Sequence, residues 1–227
     1  MTLALYLYRY DWRVIPASAR FLATGLVLTI EIAGLALACS LVLGLLVALW
    51  RLAPLRPLSL LAFLYIQVFR ALSLYIYILW VYFGIAALFG INLSPLVAGV
   101  VCLTLLNSAY MAEIYRAAIG AVDPGQREAA MSLGMGRVMT FTSVVLPQAW
   151  RIAVPSLVNQ FVDIIKDSSI VAVIGAGDLM YQTIERVSFY NRPFEFYTTT
   201  GLIYLALVVV VARLAAQLER RLRRHLA

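Results

Sequence analysis

One long run of apolar residues decides what class of fold this chain can adopt. Residues 21–50 contain a single charged side chain, Glu31. At about 1.5 Å of rise per residue, a helix of this length crosses the hydrocarbon layer of a bilayer, which is about 30 Å thick. Across the whole sequence 63% of residues are hydrophobic and 13% are charged, which is unlike a soluble domain. The chain is therefore predicted to be an all-α integral membrane protein.

Four more segments have the composition of membrane spans, which gives about five transmembrane helices. They are residues 58–87, 96–116, 148–166 and 196–214. The segment 58–87 is too long for one straight span, so we expect it to be broken or tilted near residues 70–73. Residues 170–180 are too few to cross a bilayer and are predicted to form a re-entrant or surface element. Residues 185–195 are predicted to be a polar loop before the last span.

A polar insert, residues 123–147, separates the third and fourth predicted spans. Asp123 is a predicted N-cap, and Gln126 three residues later completes a capping box. Gly134 supplies the left-handed residue that commonly ends a helix. A helix of about ten residues is not stable alone in water, so it needs a partner surface. We predict a short helix outside the bilayer that acts as a docking element.

The insert contains the run Glu128-Ala129-Ala130, followed by Gly134, Phe141 and Leu146-Pro147. At these spacings the residues resemble the EAA loop of the membrane subunits of bacterial ATP-binding-cassette importers. The resemblance implies a cytoplasmic coupling helix, within a loop at residues 120–140, that sits in a groove of the ATPase subunit. The residues assigned to coupling are Arg127, Glu128, Ala129, Ala130, Gly134, Leu146 and Pro147. An ordinary loop helix rich in alanine is the alternative.

Other segments resemble the polar amino-acid permeases of the same importers. Residues 65–74 resemble the pattern Y-x-E-x-x-R-G-T-P-L but have Gln67 in place of the glutamate, and residues 71–73 differ from G-T-P. Residues 109–116 resemble A-Y-x-A-E-x-x-R, and residues 166–170 resemble K-x-T-S-L. The resemblance implies the type I importer permease fold and a substrate among polar amino acids or related zwitterionic solutes.

The same resemblance implies a set of partners. These are a second permease subunit, identical or related, two ATP-binding subunits and an extracytoplasmic solute-binding protein, all assembled around the lipid bilayer. It also implies that this chain binds no cofactor, because ATP and Mg²⁺ are held by the partner ATPase.

Polar side chains at membrane depth are the candidate pathway residues, because such groups are costly in lipid. Asn159, Asp163 and Lys166 recur at helical spacing on one stripe of residues 148–166, so this side of the helix is not expected to face lipid. Arg70 lies at the predicted irregularity, and Glu31 interrupts the first span. A structural role stays open for each of them. Glu31 and the stripe can be satisfied at helix interfaces, Arg70 can be a cation bonded to backbone carbonyls, and Lys166 can cap the helix end. If Arg70 and Asp163 were close together, they would suit the two ends of a zwitterion.

A local ion pair is also predicted. Glu113 and Arg116 are three residues apart, and side chains at this spacing lie on the same face of a helix. A structural pair is therefore the leading interpretation of these two residues.

Several functional classes are disfavoured by composition. The net charge of +7 includes an arginine-rich tail, residues 217–227, directly after an apolar run, which indicates anionic lipid rather than nucleic acid. Cys39 and Cys102 lie inside apolar runs, and no metal or catalytic residues are predicted. The sequence has no G-x-x-x-x-G-K-[ST] pattern, so the chain is not expected to be an enzyme that hydrolyses ATP itself.

Five crossings with the insert in the cytoplasm give a multi-pass protein of the bacterial cytoplasmic membrane. Residues 1–20 are then an extracytoplasmic segment, residues 21–216 the transmembrane permease domain and residues 217–227 a cytoplasmic tail. Arginines 9, 13 and 20 fall outside in this scheme and count against it under the positive-inside rule. The predicted function is a permease subunit of an ATP-driven importer. The alternatives are a self-contained carrier or channel for small polar solutes, which would need coupling-ion sites and usually an internal repeat, and a scaffold without a pathway.

Overall fold

The computed structural model describes the backbone of residues 10–224 and the side chains of residues 10–217. Within these limits the regular structure is helical, without strands. In chain order the α-helices are α1 (Val14–Leu52), α2 (Arg56–Ala71), α3 (Leu74–Leu79), α4 (Ile85–Phe89), α5 (Pro95–Gly120), α6 (Pro124–Ser132), α7 (Arg137–Thr140), α8 (Leu146–Asp167), α9 (Leu179–Tyr190) and α10 (Pro193–Arg224). The side chains of the basic tail after residue 217 lie outside the described part.

Three of the described helices are long and apolar enough to cross a membrane, namely α1, α5 and α10. A fourth candidate is the bent pair formed by α2 and the segment Leu74–Phe89. The remaining predicted crossing corresponds to α8, which has 22 residues but also carries charged side chains. At about 1.5 Å per residue α8 is long enough for the hydrocarbon layer, but it is not among the described helices that are also apolar enough, so the fifth crossing stays a prediction.

The predicted break in the second span is present. α2 ends at Ala71, and Leu72 and Ser73 have extended backbone conformations before α3 begins. The helix axes on the two sides of the break differ by 103°. α3 then continues through a π-helical turn, Trp80–Gly84, into α4.

The first helix starts earlier than the apolar run. α1 begins at Val14 and not near Phe21. Pro16 falls in its first turn, where the missing N–H of proline has no helical partner to lose. Part of the segment predicted to precede the first span is therefore helical.

α1 and α5 pack side by side and run in the same direction. The Ser40 hydroxyl donates to the Thr104 carbonyl at 3.3 Å. Further along, a Cβ on Gly44 would lie 2.8 Å from the Met111 Cβ and 3.0 Å from the Ser108 carbonyl oxygen. Small residues let helix backbones approach this closely inside a membrane. Both helices therefore end at the side of the bundle that carries α6, which we call the α6 end.

α8 runs antiparallel to α5. Gln160 on α8 reaches Asn107 on α5, whereas Ile152 lies across a groove from Ala118. The apolar side of α8 is buried against the bundle through residues such as Ala153 and Leu157.

The segment after α8 does not cross the bundle. A 3₁₀ helix, Ser168–Ile174, leads through Gly175 and Gly177, both with positive φ, to the N-cap Asp178 of α9. A polar loop was expected over residues 185–195, and this expectation was wrong for its first half, because α9 continues to Tyr190. The polar residues there are the exposed face of an amphipathic helix.

Candidate docking helix and polar groove

Both ends of α6 are capped as the sequence predicts. The Asp123 carboxylate accepts a bond from the Gly125 N–H at 2.6 Å. At the other end Gly134 has φ +82°, its N–H donates to the Met131 carbonyl, and the Met135 N–H donates to the Ala130 carbonyl. This pair of bonds is a Schellman motif. The Asp123 carboxylate caps the N–H of Gly125 rather than that of Gln126, and no bond from the Gln126 side chain back to the Asp123 N–H forms among the described residues, so the predicted capping box is not made.

α6 has one anchored side and one free side. The Arg127 guanidinium donates to the Ile119 carbonyl at 2.7 Å, which ties α6 to the end of α5, and Ala130 is buried. On the other side Glu128 and Ala129 are exposed. Leu133 is 84% exposed, which is unusual for a large apolar side chain. α6 therefore presents a mixed acidic and apolar surface while its own position is fixed by the bundle.

Leu146 and Pro147 do not belong to the free side of α6. They begin α8 and line an apolar groove of about 440 Å³ together with Leu45, Tyr115 and Trp150. Their local role is to start α8 against α1 and α5, since proline is tolerated in the first turn of a helix.

A second groove, which we call the polar groove, lies between α5 and α8 beside the end of α2. Its volume is about 440 Å³. Its polar lining residues come from all three helices and are Arg70, Tyr110, Glu113, Ser156 and Gln160. A guanidinium, a carboxylate, an amide and two hydroxyls in one groove can bind a small polar solute from several sides.

Two contacts fix the geometry of the polar groove. The Gln160 amide donates to the Asn107 amide oxygen at 2.7 Å, and the fully buried Asn107 donates in turn to the Leu103 carbonyl at 2.8 Å. The Arg70 guanidinium lies 5.2 Å from the centre of the Tyr110 ring, within the range of a cation–π contact. The amide of Gln160 and the cation of Arg70 are thereby each held against α5.

The predicted ion pair on α5 is present. Arg116 donates to both carboxylate oxygens of Glu113, with the shortest contact at 2.7 Å. Glu113 faces the polar groove, so the pair also leaves a carboxylate on its wall.

The predicted polar stripe of α8 lies on the open side of that helix. Asn159 is exposed, and the Lys166 ammonium pairs with the Asp163 carboxylate at 2.6 Å. Both partners of that pair are about half exposed, at 57% and 49% of their side-chain surface. These three residues therefore face away from the packed core of this chain.

The candidate pathway residues do not form one cluster. Arg70 lines the polar groove, whereas Asp163 is paired with Lys166 and is not part of its lining. The supposed pairing of Arg70 with Asp163 around a zwitterion is therefore not seen in the single chain. Glu31 is exposed on α1, without a hydrogen bond or ion pair to any other described residue.

Sequence reasoning overlooked three groove residues, Tyr110, Ser156 and Gln160. Ser156 and Gln160 are four residues apart on α8 and so lie on one helix face. Their four-residue spacing could have indicated them, but the prediction relied on the more polar stripe that contains Asn159. Within the described residues no group of metal-ligating side chains could hold an ion.

Comparisons with known proteins agree on one family. The profile described as "Binding-protein-dependent transport system inner membrane component" matches residues 40–224. The arginine transport system permease protein ArtQ of Bacillus subtilis (strain 168) is 35% identical over 203 residues, which cover 89% of this chain and 93% of ArtQ. The glutamine transport system permease protein GlnP of Escherichia coli (strain K12) is 32% identical over 216 residues, which cover 95% of this chain and 99% of GlnP.

Solved structures show the same architecture. One described as an amino acid ABC transporter with histidines has a chain that is 38% identical, with a TM-score of 0.90 and coverage of 94% of this chain and 99% of the other. A chain of the MetNI methionine ABC transporter in an inward-facing conformation has a TM-score of 0.78 at 19% identity, covering 91% of this chain and 98% of the other. At that identity the second likeness concerns the fold alone.

Proposed function

This chain belongs to the family of binding-protein-dependent transport system inner membrane components, and we propose that it passes polar amino acids along the polar groove while a separate ATPase docked on α6 supplies the energy. It is a permease subunit of an ATP-binding-cassette importer, a membrane transport component rather than an enzyme. The predicted fold class, an all-α membrane protein with the type I importer permease fold, is confirmed.

Polar amino acids are the proposed substrate class. The relatives described as arginine and glutamine permeases support it. So does the lining of the polar groove, where Arg70 can attract a carboxylate and Glu113 an ammonium group. Asn159, Asp163 and Lys166 on the open side of α8, and Glu31 on α1, are proposed to line the pathway in the assembled transporter, because polar groups at membrane depth require protein or water around them.

The coupling proposal rests on one observation, that α6 has one side anchored to the bundle and one side free. Arg127 and Ala130 hold the helix to the bundle, and Glu128, Ala129 and Leu133 remain free for a partner. Within this chain α6 also connects α5 with the helical segment that leads into α8. These are two of the helices that form the walls of the polar groove. A partner that pulls on α6 can therefore widen or narrow the groove directly, as in other rigid-body transitions.

The proposed partners follow from the family. Its description names a binding protein, and the likeness to a chain of an amino acid ABC transporter supports an ATPase partner. We propose that this ATPase holds ATP and Mg²⁺. We propose two permease subunits, identical or related, with two ATPase subunits and one binding protein outside the membrane.

The proposed orientation places α6 in the cytoplasm, the amino terminus outside and the carboxyl terminus inside. Arginine positions support this orientation under the positive-inside rule. Those in or next to the α6 end of the bundle are Arg51, Arg56, Arg116, Arg127 and Arg137. Arg13 and Arg20, near the start of α1, are at the opposite end and count against this orientation under the same rule.

Copurification tests the docking role of α6. Tagged wild-type chain, coexpressed with the proposed partners, is purified beside Glu128→Arg and a matched control, Glu185→Arg, which reverses an exposed charge on α9. We expect an ATPase to accompany the wild type and the control and to be lost from Glu128→Arg. Each variant must elute as a monodisperse membrane protein, which separates lost docking from lost folding.

Two results would contradict the proposal. One is a well-folded wild-type chain that purifies without any ATPase. The other is an equal loss of the ATPase from Glu128→Arg and Glu185→Arg, because the effect would then not depend on α6.

A further inference from the structure

A basic groove lies at the turn between α1 and α2, separate from the polar groove. Its volume is about 450 Å³, and its lining residues are Arg51, Ala53, Pro54, Arg56, Ser59, Leu60 and Phe63. Two arginines and one hydroxyl give it a cationic half, and none of the lining residues is acidic. The turn is at the α6 end of the bundle, where α1 leaves its apolar run.

The Arg51 guanidinium is held in place from two directions. It donates to the Ser59 hydroxyl at 2.7 Å, and that hydroxyl donates back to the Arg51 carbonyl at 2.9 Å. Its carbon Cζ also lies 5.3 Å from the centre of the Phe63 ring. The Arg51 Nε atom is buried without a hydrogen-bond partner among the described residues. An ordered guanidinium loses less freedom when it binds an anion.

The start of α2 adds a second source of positive potential. Its N-cap, Leu55, gives no side-chain bond to the first N–H groups, and the exposed Arg56 occupies the first turn. Unsatisfied N–H groups and the helix dipole at such an end both favour a negatively charged ligand. α2 has 16 residues, so enough peptide dipoles are aligned to give its N-terminus a partial positive charge.

The other half of the groove is apolar and open. Leu60 is 57% exposed and Phe63 is 38% exposed. Exposed apolar side chains directly beside a cationic site suit a ligand that has both an anionic group and hydrocarbon chains. A free phosphate ion would use only the cationic half.

We infer that this groove binds an anionic glycerophospholipid, with its phosphate at Arg51, Arg56 and the first turn of α2 and its acyl chains along Leu60 and Phe63. Basic pockets near the ends of transmembrane helices attract acidic headgroups, and each arginine contributes to that attraction. The bound lipid fills the gap between α1 and α2, and its phosphate offsets part of the positive charge at this turn.

Native mass spectrometry of the purified, delipidated transporter complex tests the inference. The complex is titrated with phosphatidylglycerol and separately with phosphatidylcholine, and bound lipids are counted. Arg56→Gln is the main variant, because it leaves the Arg51–Ser59 bonds intact, and Arg213→Gln on α10 is the matched control with an exposed arginine. We expect phosphatidylglycerol to bind more tightly than phosphatidylcholine, and Arg56→Gln to weaken only the former, by about fivefold.

Competition with inorganic phosphate distinguishes a phospholipid site from a site for free phosphate. The lipid inference predicts that millimolar phosphate leaves most bound phosphatidylglycerol in place. Displacement of the lipid by phosphate alone would overturn it in favour of a simple anion site. Equal binding of the two lipids, or an equal effect of Arg56→Gln and Arg213→Gln, would also overturn it.

Discussion

The bond between Gln160 and Asn107 shows how a single residue shapes the polar groove. Asn107 is fully buried, so its amide requires partners, and it finds them in Gln160 and in the Leu103 carbonyl. The bond joins α8 to α5 in the middle of both helices. It therefore fixes the position of α8 relative to α5, the two helices between which the polar groove lies.

A double-mutant cycle measures this bond. We expect Asn107→Leu and Gln160→Leu each to destabilise the protein, and the two changes together to cost less than their sum. The expected coupling is about 0.5–1.5 kcal/mol, the range of single side-chain hydrogen bonds between membrane helices. Unfolding by denaturant in detergent gives the four free energies. Strictly additive effects would contradict the role given to this bond.

Local residue pairs could be predicted from the sequence, whereas distant ones could not. Glu113 and Arg116 are three residues apart on one helix, so their pairing follows from helix geometry alone. Asn107 and Gln160 are 53 residues apart, and only the packing of α5 against α8 brings them together. A pairing of Arg70 with Asp163 could not be predicted for the same reason, because no rule of spacing applies to it.

At the scale of elements, α6 is the part of the fold that the sequence predicts most completely. Its N-cap at Asp123 and its left-handed end at Gly134 are both local signals, and both are present. The break after Ala71 was also predicted, although the extended residues there are neither glycine nor proline. The helix α9 was not predicted, because its exposed polar residues are typical of a loop. The buried residues Leu179 and Thr183 indicate a helix face only when they are considered together.

The end of α6 gives a prediction with an internal control. Gly134 has φ +82° and Gly136 has φ −66°, and a Cβ would meet open space at either position. Gly134→Ala should therefore strain the backbone by about 1–2 kcal/mol, whereas Gly136→Ala should not. We expect a lower rate of ATP-driven uptake for Gly134→Ala and a rate near wild type for Gly136→Ala. Equal rates for the two variants would show that the shape of this turn is unimportant for coupling.

For the whole molecule, the single chain leaves surfaces that need partners. The open side of α8 carries Asn159, Asp163 and Lys166, and Glu31 is exposed on α1. A side of this kind is too polar for lipid, so the assembled transporter must cover it with protein or water.

Composition alone predicted an integral membrane protein, because long apolar runs are compatible with few other folds. The relative positions of the helices depended on contacts such as Gly44 against Met111, which no pattern in the sequence reveals.

Uptake into proteoliposomes tests the central claim, that this chain moves a polar amino acid only when an ATPase acts on α6. Vesicles contain the purified complex with ATP inside, and the solute-binding protein with labelled arginine or glutamine is added outside. We predict uptake of one of these amino acids that requires both ATP and the binding protein and is abolished by Glu128→Arg. Equal uptake by the chain alone, driven by an ion gradient without the ATPase, would contradict the account and identify a self-contained carrier.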